Sequence, residues 1–327
     1  MSPSIHRLLV LSIAACIAPA VLAQSGWKPA KNVEVIVGTS AGGAADYTAR
    51  LLQKLLQRSL PGGALVVNKP GASYNSSFLY LNQHAGDGHY IAISPINLVT
   101  NRVLGLGDLS NADITPLAQL ISDYHVFSVL TDSPVRTAAN LVERLRKDPA
   151  SLSIAISPSI GSANHFAVGT ILKAAGIDIK RLKIVAFASA GESMTSVLGG
   201  HTDLLVSATP AVTPMIESGK MRTLAISSPK RLGGIFARVP TWKESGVDAV
   251  FSNWRGIVGP KNLTAAQIDY WDSVLQKLVQ MNEWKEDLAH NYQDSSYMNS
   301  RETKAFLDNH ARQFAPLIVD LGLAKTP

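Results

Sequence analysis

Short apolar runs, small-residue loops and helix-period segments alternate along most of the chain. Residues 33–37 are apolar apart from Glu34 and run into Gly38-Thr39-Ser40-Ala41-Gly42-Gly43. Beyond that loop, Tyr47, Leu51, Leu52, Leu55 and Leu56 recur at helical spacing, which predicts a strand followed by an amphipathic helix. Pro61-Gly62-Gly63 ends the helix, and 65–67 and 90–93 read as further strands, the second ending at Ser94-Pro95. The pattern then repeats. Thr137 caps a helix through Lys147, and 153–156 is a strand ending at Ser157-Pro158-Ser159-Ile160-Gly161-Ser162. A helix over 165–175 follows, then strands over 183–187, 203–206 and 223–227, with a short helix over 193–198 and Pro210 at the start of another.

Alternating strands and helices predict an α/β protein with mainly parallel sheets flanked by helices. The tail differs. Thr264 caps a helix with Ile268, Trp271, Leu275, Leu278 and Val279 on one stripe, and a last helix from Arg301 carries Phe306, Phe314, Leu317, Ile318 and Leu321. No linker separates two halves, so strands near 126–130 and 251–258 are expected to cross between two lobes. Lobe 1 is then discontinuous, 24–127 plus 254–327, with the C-terminal helices packed back on it, and lobe 2 is 128–253.

The first residues are an address rather than structure. His6 and Arg7 precede an apolar run over 8–22 that ends at Val21-Leu22-Ala23, the order of an export signal over 1–23 cleaved near Ala23. Spanning a bilayer takes roughly 20 apolar residues, more than this run provides. An exported, periplasmic protein is expected. A second reading makes Ile13-Ala14-Ala15-Cys16 a lipoprotein box. With cleavage at Ala23 the mature chain has no cysteine, which removes disulfides, thiolate metal sites and cysteine nucleophiles. Net charge is +6, from 30 Lys and Arg against 24 Asp and Glu, and losing Arg7 makes it +5. The basic residues are scattered, with no stripe of the kind that binds nucleic acid.

Ligands of open α/β sheets sit at the carboxyl ends of the strands. Small and hydroxyl residues gather at several of those ends: Thr39, Ser40, Ala41, Gly42 and Gly43, then Ser94, then Ser159, Gly161 and Ser162, then Ala190, then Ser207 and Thr209. They let backbone N–H groups approach an anion beside helix N-termini. Turns also need such residues, so recurrence rather than any single loop marks the cleft. Gly38-Thr39-Ser40-Ala41-Gly42 satisfies the G-x-S-x-G elbow of an esterase with Ser40 as nucleophile, yet no oxyanion segment precedes it and no acid–histidine pair stands out, His290 and His310 staying open. No histidine set has metal-ligand spacing, and no nucleotide loop is present, so neither metal nor cofactor is expected.

The order and spacing of several segments resemble the substrate-binding receptors of tripartite tricarboxylate transporters, the Bug receptor family. They are Gly42-Gly43-Ala44-Ala45-Asp46, Asn68-Lys69-Pro70-Gly71-Ala72, Gly161-Ser162-Ala163-Asn164-His165, Gly199-Gly200-His201-Thr202-Asp203-Leu204, Gly219-Lys220-Met221-Arg222, and Trp254 with 256–260. The resemblance implies a two-lobed periplasmic-binding-protein fold that carries a small organic carboxylate to membrane permease subunits, a monomer being the default expectation; a receptor that senses solute without transport is a further reading. It also implies that 39–43 and 159–162 hold the carboxylate through backbone groups. Asp46 is either a charge at a helix N-terminus or a ligand contact, and Asp203 fixes a turn. His165 is read as packing or capping before ligand contact. Where the family carries prolines before Gly-Gly, this chain has Thr39-Ser40-Ala41, and where it continues with glycines after Ala72, Ser73 and Tyr74 stand. Tyr74 is a candidate for ligand stacking or for packing, and Arg255 for a second carboxylate or a surface salt bridge.

Overall fold

The computed structural model describes Gly26 to Ala324; the leader, with Cys16 and the site at Ala23, lies outside the described residues. The first three strands are β1 (Val33–Val37), β2 (Ala64–Asn68) and β3 (Tyr90–Pro95), with helices α1 (Ala44–Leu56), α2 (Asn75–Asn82) and α3 (Asn97–Thr100) among them. Next come β4 (Ile114–Leu130), α4 (Ala138–Lys147), β5 (Ser153–Ile156), α5 (Ala163–Ala174), β6 (Lys183–Ala186), α6 (Ala190–Leu198), β7 (Leu204–Ala208), α7 (Thr209–Glu217) and β8 (Met221–Ile226). The chain closes with β9 (Ser252–Pro260), α8 (Ala265–Leu278), α9 (Asn282–His290), β10 (Asp294–Met298) and α10 (Ser300–Asp320).

Local chemistry explains several boundaries. Thr137 accepts the Asn140 N–H ahead of α4, and Thr264 and Gln267 form a reciprocal capping box on α8. Strand periodicity sorts β1: Val33, Val35 and Val37 meet Leu52 and Leu55 of α1 and Trp271 and Leu275 of α8, while Ile36 faces Phe78 and Leu81 of α2. Full burial of each such side chain is worth about 1.5–3 kcal/mol. Tyr47 leaves the stripe expected for α1; it is exposed, and its hydroxyl donates to Asp287 of α9.

The strands form one path, β2-β1-β3-β9-β4-β7-β5-β6, with β8 and β10 also on β4. Here the expectation of mainly parallel sheets needs correction. The outer pairs β1–β2, β1–β3, β5–β6 and β5–β7 are parallel, but β9 is antiparallel to β3 and β4, and β7, β8 and β10 are antiparallel to β4. The cause is the crossing itself: β4 runs out along the middle of the sheet and β9 returns beside it. β4 is also longer than its apolar end suggested. Its residues from Ile114 to Tyr124 pair with β9, and those from His125 to Leu130 pair with β7 or β8. The helix α10 lies across this middle, with Phe314 against Phe166 of α5 and against Phe251.

Candidate functional site

A cleft of about 460 Å³ opens where the ends of β1, β3 and β5 converge on β9. Gly38, Thr39, Ala44 and Ala45 wall it on one side, Pro158 to Ala163 on the other, and Asn253 and Arg255 of β9 contribute from the strand between.

On the first side, Gly42 turns the chain at φ +89°, a left-handed conformation suited to glycine. Its N–H donates to Asp46 Oδ2 at 2.9 Å. Asp46 also accepts from Arg50 Nε at 2.8 Å and Asn68 Nδ2 at 2.9 Å. The Arg50 hydrogen bond, helped by the Gly42 and Asn68 donors, holds the carboxyl down at about 2. Asp46 is buried and braces the loop; it does not line the cleft. α1 has no side-chain cap, so the N–H groups of Ala44 and Ala45, in its first turn, have no partner in the described protein.

The second side repeats the device with other residues. Gly161, at φ +78°, gives its N–H to His165 Nδ1 at 3.1 Å. His165 is therefore neutral with Nδ1 as acceptor, and burial lowers its pKa to about 4. Ser162 caps α5 and donates its hydroxyl to the Ser157 carbonyl at 3.2 Å, which also accepts from Asn164 at 2.7 Å. The Ser162 N–H is taken by the Ser159 carbonyl, whereas that of Ala163 has no partner among the described residues.

At the floor, Arg255 and Asp123 form an ion pair at 2.8 Å with both side chains about 95 % buried, 5 % and 4 % exposed. The surface salt bridge offered for Arg255 is thus a buried one. Ala72, Ser73 and Tyr74 hold φ of 44°, 53° and 76° in succession, a left-handed run that costs about 1–2 kcal/mol per non-glycine residue. Asn97 and Asn101 pay that strain by donating to the Ser73 hydroxyl at 2.7 Å and its carbonyl at 2.6 Å. The run sets the Tyr74 ring over Gly38, where a Cβ would stand 2.3 Å from the ring.

The remaining sequence candidates lie elsewhere. Ser40, Ala41, Gly42 and Gly43 belong to the loop but not to the cleft wall. Ser94 is buried in β3, Ser207 is buried in β7, Thr209 is buried at the start of α7, and Ala190 is exposed on α6; none of them lines it. Ser40 is exposed, and its hydroxyl bonds neither a histidine nor a carboxylate among the described residues, so the elbow lacks the geometry of a triad. Asp203 accepts from the Ser153 N–H and hydroxyl, tying β7 to β5. Sequence reasoning missed Ser73, Asn97 and Asn253. Only the alternation of Asn253 and Arg255 along a strand could have pointed to the last of these.

The model of the tripartite tricarboxylate transporter family receptors matches residues 48–323. The UPF0065 protein in the gbd 5′ region of Cupriavidus necator is 28 % identical over 309 residues, covering 93 % of this chain and 91 % of that protein. Among solved structures, a TctC solute-binding protein from Polaromonas is 25 % identical with a TM-score of 0.76, covering 90 % of this chain and 99 % of its own. An R. palustris protein solved with adipate is 21 % identical with a TM-score of 0.78, covering 90 % and 99 %.

Proposed function

Because this chain belongs to the tripartite tricarboxylate transporter receptor family, we propose that its cleft captures a small organic carboxylate for delivery to membrane permease subunits. The observation that carries this reading is the pair of strand–loop–helix units facing each other across the cleft. Each ends in a helix of at least 12 residues with first-turn N–H groups, at Ala44 and Ala45 and at Ala163, that are unbonded among the described residues. Such groups favour an anion through hydrogen bonds and the helix dipole together. The adipate in a structural neighbour is in keeping with that chemistry.

In this reading 24–127 with 254–327 and 128–253 are two lobes, hinged where β4 and β9 pass between them. A ligand touching both walls favours the closed form. The protein acts as a monomer in the periplasm, sent there by the signal over 1–23, and no step of chemistry is assigned to it.

The test is titration of small carboxylates into the mature protein, followed by thermal melting, since a ligand bound only by the folded state raises Tm. Ala44→Pro and Ala163→Pro each delete one N–H at the first helical position, where proline is tolerated. Gly43 and Ser162 before them are already extended, at ψ 169° and 168°, as a following proline requires. Each variant should keep its Tm without ligand and lose ~10-fold in affinity, the worth of about one charged hydrogen bond. Unchanged affinity in both would remove the helix N-termini from the site.

A further inference from the structure

A cavity of about 610 Å³ opens between α5, α10 and the entry to β9, and none of its lining residues borders the cleft. Thr170, Lys173 and Ala174 of α5 line it, with Phe251 and Ser252 at the start of β9 and His310 and Phe314 of α10. Small-molecule sites run from about 300 to 1,000 Å³, so its size suits one. Phe314 stands 6.2 Å from Phe251 at 90° and 5.5 Å from His310 at 41°. Rings at such spacings extend readily to a further ring. Among the described residues that line the cavity, Lys173 alone carries a formal charge, and its ammonium is already paired with Asp320 of α10. Burial lowers the pKa of His310 to about 4, so the imidazole is neutral at pH 7. An anion here would give up hydration with no unpaired cation to receive it. His310 has Nδ1 buried without a hydrogen-bond partner among the described residues, so the edge it turns to the cavity carries Nε2. A hydroxyl group can both donate and accept, and therefore meets that nitrogen in either tautomer.

We propose that this cavity is a second ligand site, separate from the carboxylate cleft, and that it takes a small neutral aromatic alcohol. The ligand's ring packs among Phe251, His310 and Phe314, and its hydroxyl bonds Nε2 of His310. The helix α5 carries Thr170 and Ala174 here and Ala163 in the cleft wall, so one element borders both sites.

The experiment is titration of the nitrogen-15-labelled mature protein with 2-naphthol at pH 7, read by the amide shifts in its NMR spectrum. Saturable shifts should centre on Thr170, Phe251, Ser252 and Gln313, all on the cavity wall. Decahydro-2-naphthol keeps the hydroxyl and loses the aromatic rings; it should bind ~2–10-fold more weakly, the worth of the ring contacts. 2-Naphthoate, with a carboxylate in place of the hydroxyl, should bind at this cavity at least ~10-fold more weakly. Ala174→Trp fills the cavity from an exposed helix position and should weaken 2-naphthol ~10-fold or more. His310→Phe keeps a ring, deletes both nitrogens and should weaken 2-naphthol ~3–10-fold. If one of these variants does not fold, the other carries the test. Shifts centred instead on Gly42 and Gly161, an affinity that neither variant lowers, or no binding of 2-naphthol at all overturns the second site and leaves the receptor reading standing. Naphthoate held at this cavity as tightly as naphthol overturns the neutral ligand class.

Discussion

In the loop after β1, Gly42 gives its N–H to Asp46; in the loop after β5, Gly161 gives its own to His165. Each acceptor is four residues on, at the third position of the helix, and each glycine is left-handed. The turn therefore demands an acceptor at a fixed place, not a particular residue. The two solutions differ in what keeps the acceptor available. Asp46 is held ionised by Arg50 and Asn68, whereas His165 accepts only while neutral and depends on burial to remain so.

The comparison breaks hardest at Asp46. Asp46→Ala strips a partner from Gly42, Arg50 and Asn68 together and should cost about 3 kcal/mol in urea unfolding. His165→Gln, which keeps an oxygen acceptor near Gly161, should cost only about 1 kcal/mol. Equal losses would mean that the two braces do equivalent work.

Acid separates them further. The pKa of His165 is lowered from 6.5 to about 4, so the unfolded chain takes up protons first and stability falls as pH drops from 6.5 toward 4. His125 and His310 are lowered by burial in the same direction. Each contributes at most about 1.4 kcal/mol per pH unit in that window. Asp46, lowered from 3.8 to about 2, adds stability that is lost only as pH falls below 3.8. Urea melts at pH 7, 5.5 and 4.5 should therefore show a shallower slope for His165→Gln and an unaltered slope for Asp46→Asn. The smallest effect is at the turns: Gly42→Ala and Gly161→Ala each place a side chain at positive φ and should cost about 1 kcal/mol. A loss at one glycine alone would show that only that loop is rigid.

Legibility followed side-chain pattern. The units β1–α1 and β5–α5 stood out because an apolar run, a glycine loop and a helical stripe come in that order. α9 did not, since Trp284 and Leu288 are its only buried residues. β10 did not either: its sequence Asp-Ser-Ser-Tyr-Met has no apolar run, and it is a strand because β4 pairs with it. Of the site, the two loops were visible as regions, but not which of their N–H groups are engaged. Gly42 and Gly161 give theirs to the brace, while those of Ala44, Ala45 and Ala163, residues that carry no chemical signal, have no partner among the described residues. Arg255 was named, but its burial depends on β9 occupying the middle of the sheet, which no local window reveals.

The path of β4 also sets an order of assembly. Every partner of its stretch from Ile114 to Tyr124 comes from residue 252 onward, in β9 and β10. A chain emerging from its N-terminus must hold that stretch, and the outer side of β3, as open edges until the returning strand arrives. Such non-local pairing slows folding, and an uncovered edge invites other chains to add to it. A fragment ending before Ser252 would keep both cleft loops and still expose a sheet edge to aggregation, so the solubility of a nascent chain is decided by the tail that supplies β9.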